Sequence, residues 1–197
     1  MNLPNKLTTT RLVMTPIFFL FFFSYEIIPM PSLVYGAILV LLYGVMELTD
    51  LLDGKIARKY HLVTDLGKVM DPFADVICHL TFFTCLMYCG IMPVIPFALI
   101  MWREFSQSFM RMLLMGKGKP LAANIFGKAK TCLYAFSCVA GFVLRILTVI
   151  GTKANVLSVF ALCLNVVFYL AAFASVMSFA IYIKGTINSG VLKDMTR

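Results

Sequence analysis

Six long apolar runs leave this chain few ways to fold. They lie at roughly Leu12–Ile28, Leu33–Ala57, Leu66–Cys89, Ile91–Met115, Ala129–Ile150 and Val156–Ile183. A helix crosses a hydrocarbon core in about 20 residues, and each run is of that order. The apolar residues are continuous rather than alternating, which disfavours a strand barrel. Backbone groups in lipid must pair within their own segment, so the expected fold is all-α: a polytopic membrane protein with six transmembrane helices. Composition agrees. The chain is 61% hydrophobic and 13% charged, where soluble domains carry about 25% charge.

The formal net charge of +8 suggests nucleic acid until its distribution is considered. No Lys or Arg occurs between Arg11 and Lys55, nor between Lys68 and Arg103. The basic residues gather at the N-terminus, after the second run, around the connection between the fourth and fifth runs, and at the C-terminus. Arg145 and Lys153 alone fall on the other side. The positive-inside rule then places both termini in the cytoplasm, at an inner membrane. The excess suits an anionic leaflet and anionic substrates rather than nucleic acid. The first run lacks a small-residue cleavage site, so no cleavable signal peptide is expected. "NLPNKLTTTR" reads as a short polar or amphipathic N-terminal lead-in, with Pro4 near a helix start. The six cysteines show no metal-ribbon spacing and read as small apolar filler. Residues 1–197 are expected to form one domain.

Against this background Glu47, Asp50, Asp53, Asp65, Asp71 and Asp75 stand out, because a buried charge needs a partner. If Leu33–Lys59 is one helix, Asp50, Asp53, Gly54, Ala57 and Arg58 fall within roughly 140° of arc, at about 100° per residue. Glu47 lies on the same stripe, one turn deeper. "KYHLVT" turns the chain, and Thr64 or Asp65 can cap the next helix. There Gly67, Asp71 and Asp75 recur every fourth residue. A short turn would bring the two stripes together near the cytoplasmic surface. Clustered carboxylates raise one another's pKa unless a cation intervenes, and hard divalent ions suit carboxylate oxygens. Two such ions, Mg²⁺ or Mn²⁺, account for the cluster. Gly54 and Ala57 on the metal-facing stripe leave room for a ligand, although close helix packing through small residues is equally natural. Arg58 can grip a phosphate, or snorkel at the membrane edge.

The run Asp50-x-x-Asp53-Gly54-x-x-Ala57-Arg58, eight residues, Gly67-x-x-x-Asp71-x-x-x-Asp75 resembles the signature of the CDP-alcohol phosphatidyltransferase family at every fixed position. Eight positions at roughly 5–8% each match by chance at a given start on the order of once in 10¹⁰. "WREFSQSFMRMLL" at Trp102–Leu114 and "AANIFGKAKT" at Ala122–Thr131 are similar to the branch that makes phosphatidylglycerophosphate. The resemblance implies six helices, a homodimer, two divalent ions, and phosphatidyl transfer from CDP-diacylglycerol to glycerol 3-phosphate with release of CMP. By position it implies that Asp50, Asp53, Asp71 and Asp75 hold the ions and that Asp75 is also the general base. It implies that Gly54, Ala57, Arg58 and Gly67 shape the nucleotide and diphosphate site, with Thr8 and Arg11 nearby. One departure is Val76, where many members of this branch carry Lys.

A phosphorylated acceptor calls for a second basic cluster. Arg103 and Arg111, eight residues apart, together with Lys128 and Lys130, are expected to bind the acceptor phosphate, with Glu104 available as a partner. His79 continues the Asp71–Asp75 stripe by one turn. A metal-ligand role is open to it, and hydrogen bonding within the bundle is the plainer reading. Trp102 and Phe18 to Phe23 are expected to face lipid or the interface. Two rival functions remain: the same transfer to another acceptor, such as inositol 3-phosphate or serine, and a divalent-cation transporter with carboxylates near the bilayer midplane.

Overall fold

The computed structural model describes residues 2–115 and 125–188. Within them the chain forms six helices and no strand: α1 (Leu3–Ser24), α2 (Ser32–Lys59), α3 (Asp65–Tyr88), α4 (Val94–Met115), α5 (Ile125–Ile150) and α6 (Ala154–Asn188). At 1.5 Å per residue the shortest of these runs about 33 Å, a bilayer's hydrocarbon thickness. Five of them, α1, α2, α3, α5 and α6, are long and apolar enough to cross a membrane. α4 is not, which corrects the expectation of six spans. Its charge is the reason: Arg103, Glu104 and Arg111 interrupt the apolar run, and the first two are buried against the bundle. The all-helical expectation holds. Lys117, Lys119, Ala122–Asn124, Lys193 and Arg197, which entered the charge and motif arguments, lie outside the described residues.

The polar lead-in is not a separate segment. α1 starts at Leu3, with Pro4 in its first turn and the Asn2 side chain accepting from the Asn5 amide at 3.2 Å. Asn2 caps the helix and residues 3–11 are its first turns, and the start of this stretch lies against the α2–α3 turn. Asn2 donates to the Leu62 carbonyl at 2.7 Å, and Asn5 Nδ2 donates to Thr64 Oγ1 at 3.1 Å. Thr64 caps α3 as its sequence position suggests, accepting from the Gly67 amide at 3.0 Å. α2 ends in a Schellman-type closure: the Leu62 amide reaches the Ala57 carbonyl at 3.0 Å, with His61 at φ 54° in the left-handed position usually given to glycine.

The opposite end of the bundle is closed by polar contacts of its own. Glu26 meets Arg145 at 3.6 Å and Tyr88 at 3.2 Å, joining the ends of α1, α3 and α5. Between the two ends lies an aromatic core. Phe18 and Phe22, expected on the lipid face, are fully buried, and Phe18 packs edge-on against Phe82 at 4.8 Å and Phe142 at 5.3 Å. The tract Phe18–Phe23 is uniformly apolar, so its composition carried no sign of which face turns inward. Trp102 does point outward, at 62% exposure. The cysteines are free thiols, three of them buried as filler and Cys132 and Cys163 on the exposed surface.

Candidate active site

α2 and α3 do not pack on each other; α1 packs against both, and the short α2–α3 turn leaves the two acidic stripes facing α1 at the end of the bundle that carries that turn. Arg11, buried to 3% exposure on α1, stands at the centre of four carboxylates. It is ion-paired with Asp50, lies 2.8 Å from Asp71 and 3.2 Å from Asp75, and reaches Asp53 at 3.6 Å. Asp53 is the most enclosed of the four and accepts from Thr8 Oγ1 at 2.9 Å. Thr8 and Arg11, expected near the nucleotide, thus touch the acidic cluster directly. The carboxylates do face a cation of the chain's own, which the register of the nearby lysines gave no reason to expect.

One guanidinium does not neutralise the cluster. Four carboxylates crowd around one arginine, and three of them, Asp50, Asp71 and Asp75, are partly exposed, an arrangement that favours a further cation. Ligand oxygens of Asp50, Asp53 and Asp71 lie within 4.8 Å of one another, close enough to share an ion. Asp75 stands just outside that group. Its Oδ1 is enclosed and makes no well-aligned hydrogen bond, even though Arg11 is 3.2 Å away. An all-oxygen donor set with an orphaned carboxylate oxygen beside it fits a hard divalent cation.

Two cavities flank the cluster. The first, about 200 Å³, is lined by Asp53 and Asp71 together with Gly54, Ala57, Arg58 and Gly67, and by Asn5 and Thr8 from α1. A Cβ built at Gly54 would enter this open space, with only the Arg58 guanidinium nearby at 3.7 Å. At Gly67 the same atom would strike Asn5 Oδ1 at 2.9 Å and Thr64 Oγ1 at 3.2 Å. The two motif glycines therefore differ: one keeps a cavity open, and the other lets α1 approach α3.

The second cavity, about 120 Å³, lies between α3, α4 and α5, with Asp75 and His79 on one wall and Arg111, Lys130 and Tyr134 on others. Of the four basic residues expected to bind an acceptor phosphate, Arg111 and Lys130 line it. Arg103 does not; it is buried and forked onto both Glu104 oxygens at 2.9 and 2.8 Å. Lys128 is exposed and outside the lining. Glu104 also accepts from Lys130 at 2.7 Å and Tyr134 at 3.0 Å, so a buried acid organises two of the four cations. Sequence reasoning missed Asn5 and Tyr134. Asn5 was legible as a polar residue in the first turn of α1, whereas nothing in an apolar stretch marked Tyr134.

A helical bundle with spans apolar enough to cross a membrane, and an oxygen-rich acid cluster set between an open-floored cavity and a basic one, defines a class: multi-pass membrane proteins whose ionisable site could hold a metal ion. The chain belongs to the CDP-alcohol phosphatidyltransferase family, whose model matches residues 1–152. It is 37% identical over 153 residues to a protein of Treponema pallidum named CDP-diacylglycerol–glycerol-3-phosphate 3-phosphatidyltransferase, covering 75% of this chain and 71% of that one. A Bacillus subtilis protein of the same name is 36% identical over 140 residues, 66% of this chain and 70% of its own length. One from Rickettsia bellii is 33% identical over 183 residues, 93% of this chain and 94% of its own.

Proposed function

We propose that the protein transfers the phosphatidyl group of CDP-diacylglycerol to glycerol 3-phosphate, giving phosphatidylglycerophosphate and CMP. One observation carries the reading: the carboxylate cluster is shared between two cavities, one floored by the motif's small residues and the other lined by cations. CDP-diacylglycerol would lie over Gly54 and Ala57, with Arg58 on its diphosphate. The acceptor phosphate would rest against Arg111 and Lys130, held in place by Glu104. Names of the relatives support the acceptor, as does the basic lining, which a serine acceptor would not need.

The primary hydroxyl of the acceptor attacks the β-phosphorus in line. A new O–P bond forms, the bond from that phosphorus to the bridging oxygen breaks, and CMP leaves with the electron pair. The hydroxyl proton passes to Asp75, the one carboxylate of the four that also lines the acceptor cavity. Asp50, Asp53, Asp71 and Asp75 would hold two Mg²⁺ or Mn²⁺ ions, which when bound neutralise the diphosphate and the departing CMP. Arg11 and Thr8 orient the carboxylates from α1. A carboxylate is a weak base for an alcohol, so its proton transfer belongs late in the step.

The cluster is proposed to face the cytoplasm of an inner membrane, with both termini on that side, because the basic residues gather at that end. The homodimer is proposed on the family resemblance alone. A cation transporter would place its carboxylates at mid-bilayer; here Asp50 and Asp53 lie in the last turns of α2 and Asp71 near the start of α3. The test is CMP release by purified protein with CDP-diacylglycerol and a panel of alcohols, with and without EDTA. Release that requires glycerol 3-phosphate and disappears with EDTA is expected. Release independent of any acceptor, or equal with serine, would defeat the reading.

A further inference from the structure

His79 is one of four polar residues of the second cavity, with Gln107, Ser108 and Thr131, for which the transfer reaction above has no use, and the one that stands on the same helix as Asp75. It sits one turn beyond Asp75 on α3 and lines both the acceptor cavity and a small cleft of about 20 Å³ that holds Arg11, Glu47, Asp50 and Asp75. Its Nδ1 lies 2.9 Å from the Asp75 backbone carbonyl. A carbonyl can only accept, so Nδ1 carries the hydrogen, and in the neutral ring Nε2 is left with its lone pair. Nε2 is neither bonded to another described residue nor sealed from solvent. The ring itself is held. Tyr134 stands 5.6 Å away, and Phe82 and Phe83 at 6.3 and 6.4 Å. A fixed imidazole with one unused nitrogen thus stands in the wall of a cavity that also holds a general-base candidate and two cations.

Glycerol 3-phosphate has two hydroxyls. In the pose proposed above, its phosphate meets Arg111 and Lys130 and its primary hydroxyl meets Asp75, which leaves the secondary hydroxyl on the carbon between them. Val76, the neighbour of Asp75, is apolar and buried, and it offers that hydroxyl nothing. We infer that His79 is a specificity-determining residue whose Nε2 accepts a hydrogen bond from the acceptor's secondary hydroxyl, selecting a vicinal diol phosphate over a simple hydroxyalkyl phosphate. The inference rests on the acceptor assignment. A site that pairs with a substrate hydroxyl discriminates against the analogue lacking it, because a bound analogue displaces water from the nitrogen and then leaves it unpaired.

The experiment is a cycle that deletes each side of the bond in turn. Wild-type protein and His79→Phe, which keeps an aromatic ring among Phe82, Phe83 and Tyr134, are assayed for CMP release with glycerol 3-phosphate and with 3-hydroxypropyl phosphate. Wild type is expected to favour glycerol 3-phosphate by about tenfold or more in kcat/KM. His79→Phe should lose that preference through a fall on glycerol 3-phosphate alone, with 3-hydroxypropyl phosphate turned over as before. His79→Leu is run beside it to separate ring packing from hydrogen bonding. A wild type that does not distinguish the two acceptors overturns the inference. So do Phe and Leu variants that fall in parallel on both. Wild type releasing no CMP with either acceptor would instead defeat the phosphatidyl transfer itself, and this inference with it.

Discussion

At the residue scale the two motif glycines make opposite predictions. Gly54 borders open space, so Gly54→Ala should leave the thermal unfolding temperature in detergent nearly unchanged while a methyl group intrudes on the first cavity. The expected result is a KM for CDP-diacylglycerol raised several-fold, with the acceptor KM unaffected. Gly67→Ala would push on Asn5 and Thr64, which join α1 to the cap of α3, so it should lower stability as well as activity. Overpacking of this kind typically destabilises by about 1–3 kcal/mol. If both variants unfolded at the same temperature, the distinction would be wrong. Asp75 permits a sharper test. Replacing it by Asn keeps the shape and removes the base, and general-base catalysis is typically worth about 10²–10⁴-fold. Turnover by Asp75→Asn should fall at least that far in the presence of Mg²⁺, and near-normal turnover would exclude Asp75 as the base.

At the scale of the element, the helix positions were legible because hydrophobic runs in lipid have few alternatives, and the α2–α3 register was legible because spacing along a helix fixes which side chains share a face. What stayed hidden depended on neighbours far away in sequence. Phe18 and Phe22 turn inward because Phe82 and Phe142 meet them, and α4 hides Arg103 and Glu104 because Ser178, Lys130 and Tyr134 receive them. The placement of Arg11 belongs to the same group. Its sequence position says only that it lies two turns into α1; that α1 runs beside both acidic stripes is a tertiary fact. Close packing is testable too. A Cβ at Gly141 on α5 would come within 2.5 Å of the buried Leu86 side chain on α3. Gly141→Ala is expected to destabilise the fold by about 1–3 kcal/mol, read as a lowered unfolding temperature. An unchanged unfolding temperature would mean that α3 and α5 are not packed as closely as described.

Taken as a whole, the molecule keeps opposing charges at its two ends and uses them differently. At one end Glu26, Arg145 and Tyr88 simply close the bundle. At the other, four carboxylates share one arginine, and the repulsion among them opposes the packing of α1 with α2 and α3. A ligand that binds the folded chain and relieves that repulsion must stabilise it, by about 2.7 kcal/mol at a hundredfold excess over its dissociation constant. For a chain of this length such a gain corresponds to roughly 5–10 °C in unfolding temperature. Mg²⁺ or Mn²⁺ should therefore raise the unfolding temperature of the detergent-solubilised protein, without any substrate present, and EDTA should reverse the change. The shift should vanish when Asp50 and Asp71 are both replaced by Asn, because that variant removes two of the three clustered ligands and two of the repelling charges. Matched ionic strength from NaCl provides the control, since general screening would act on wild type and variant alike. A wild type indifferent to both divalent ions would show that Arg11 alone satisfies the cluster, and the carboxylates would then serve the packing of the bundle rather than a metal.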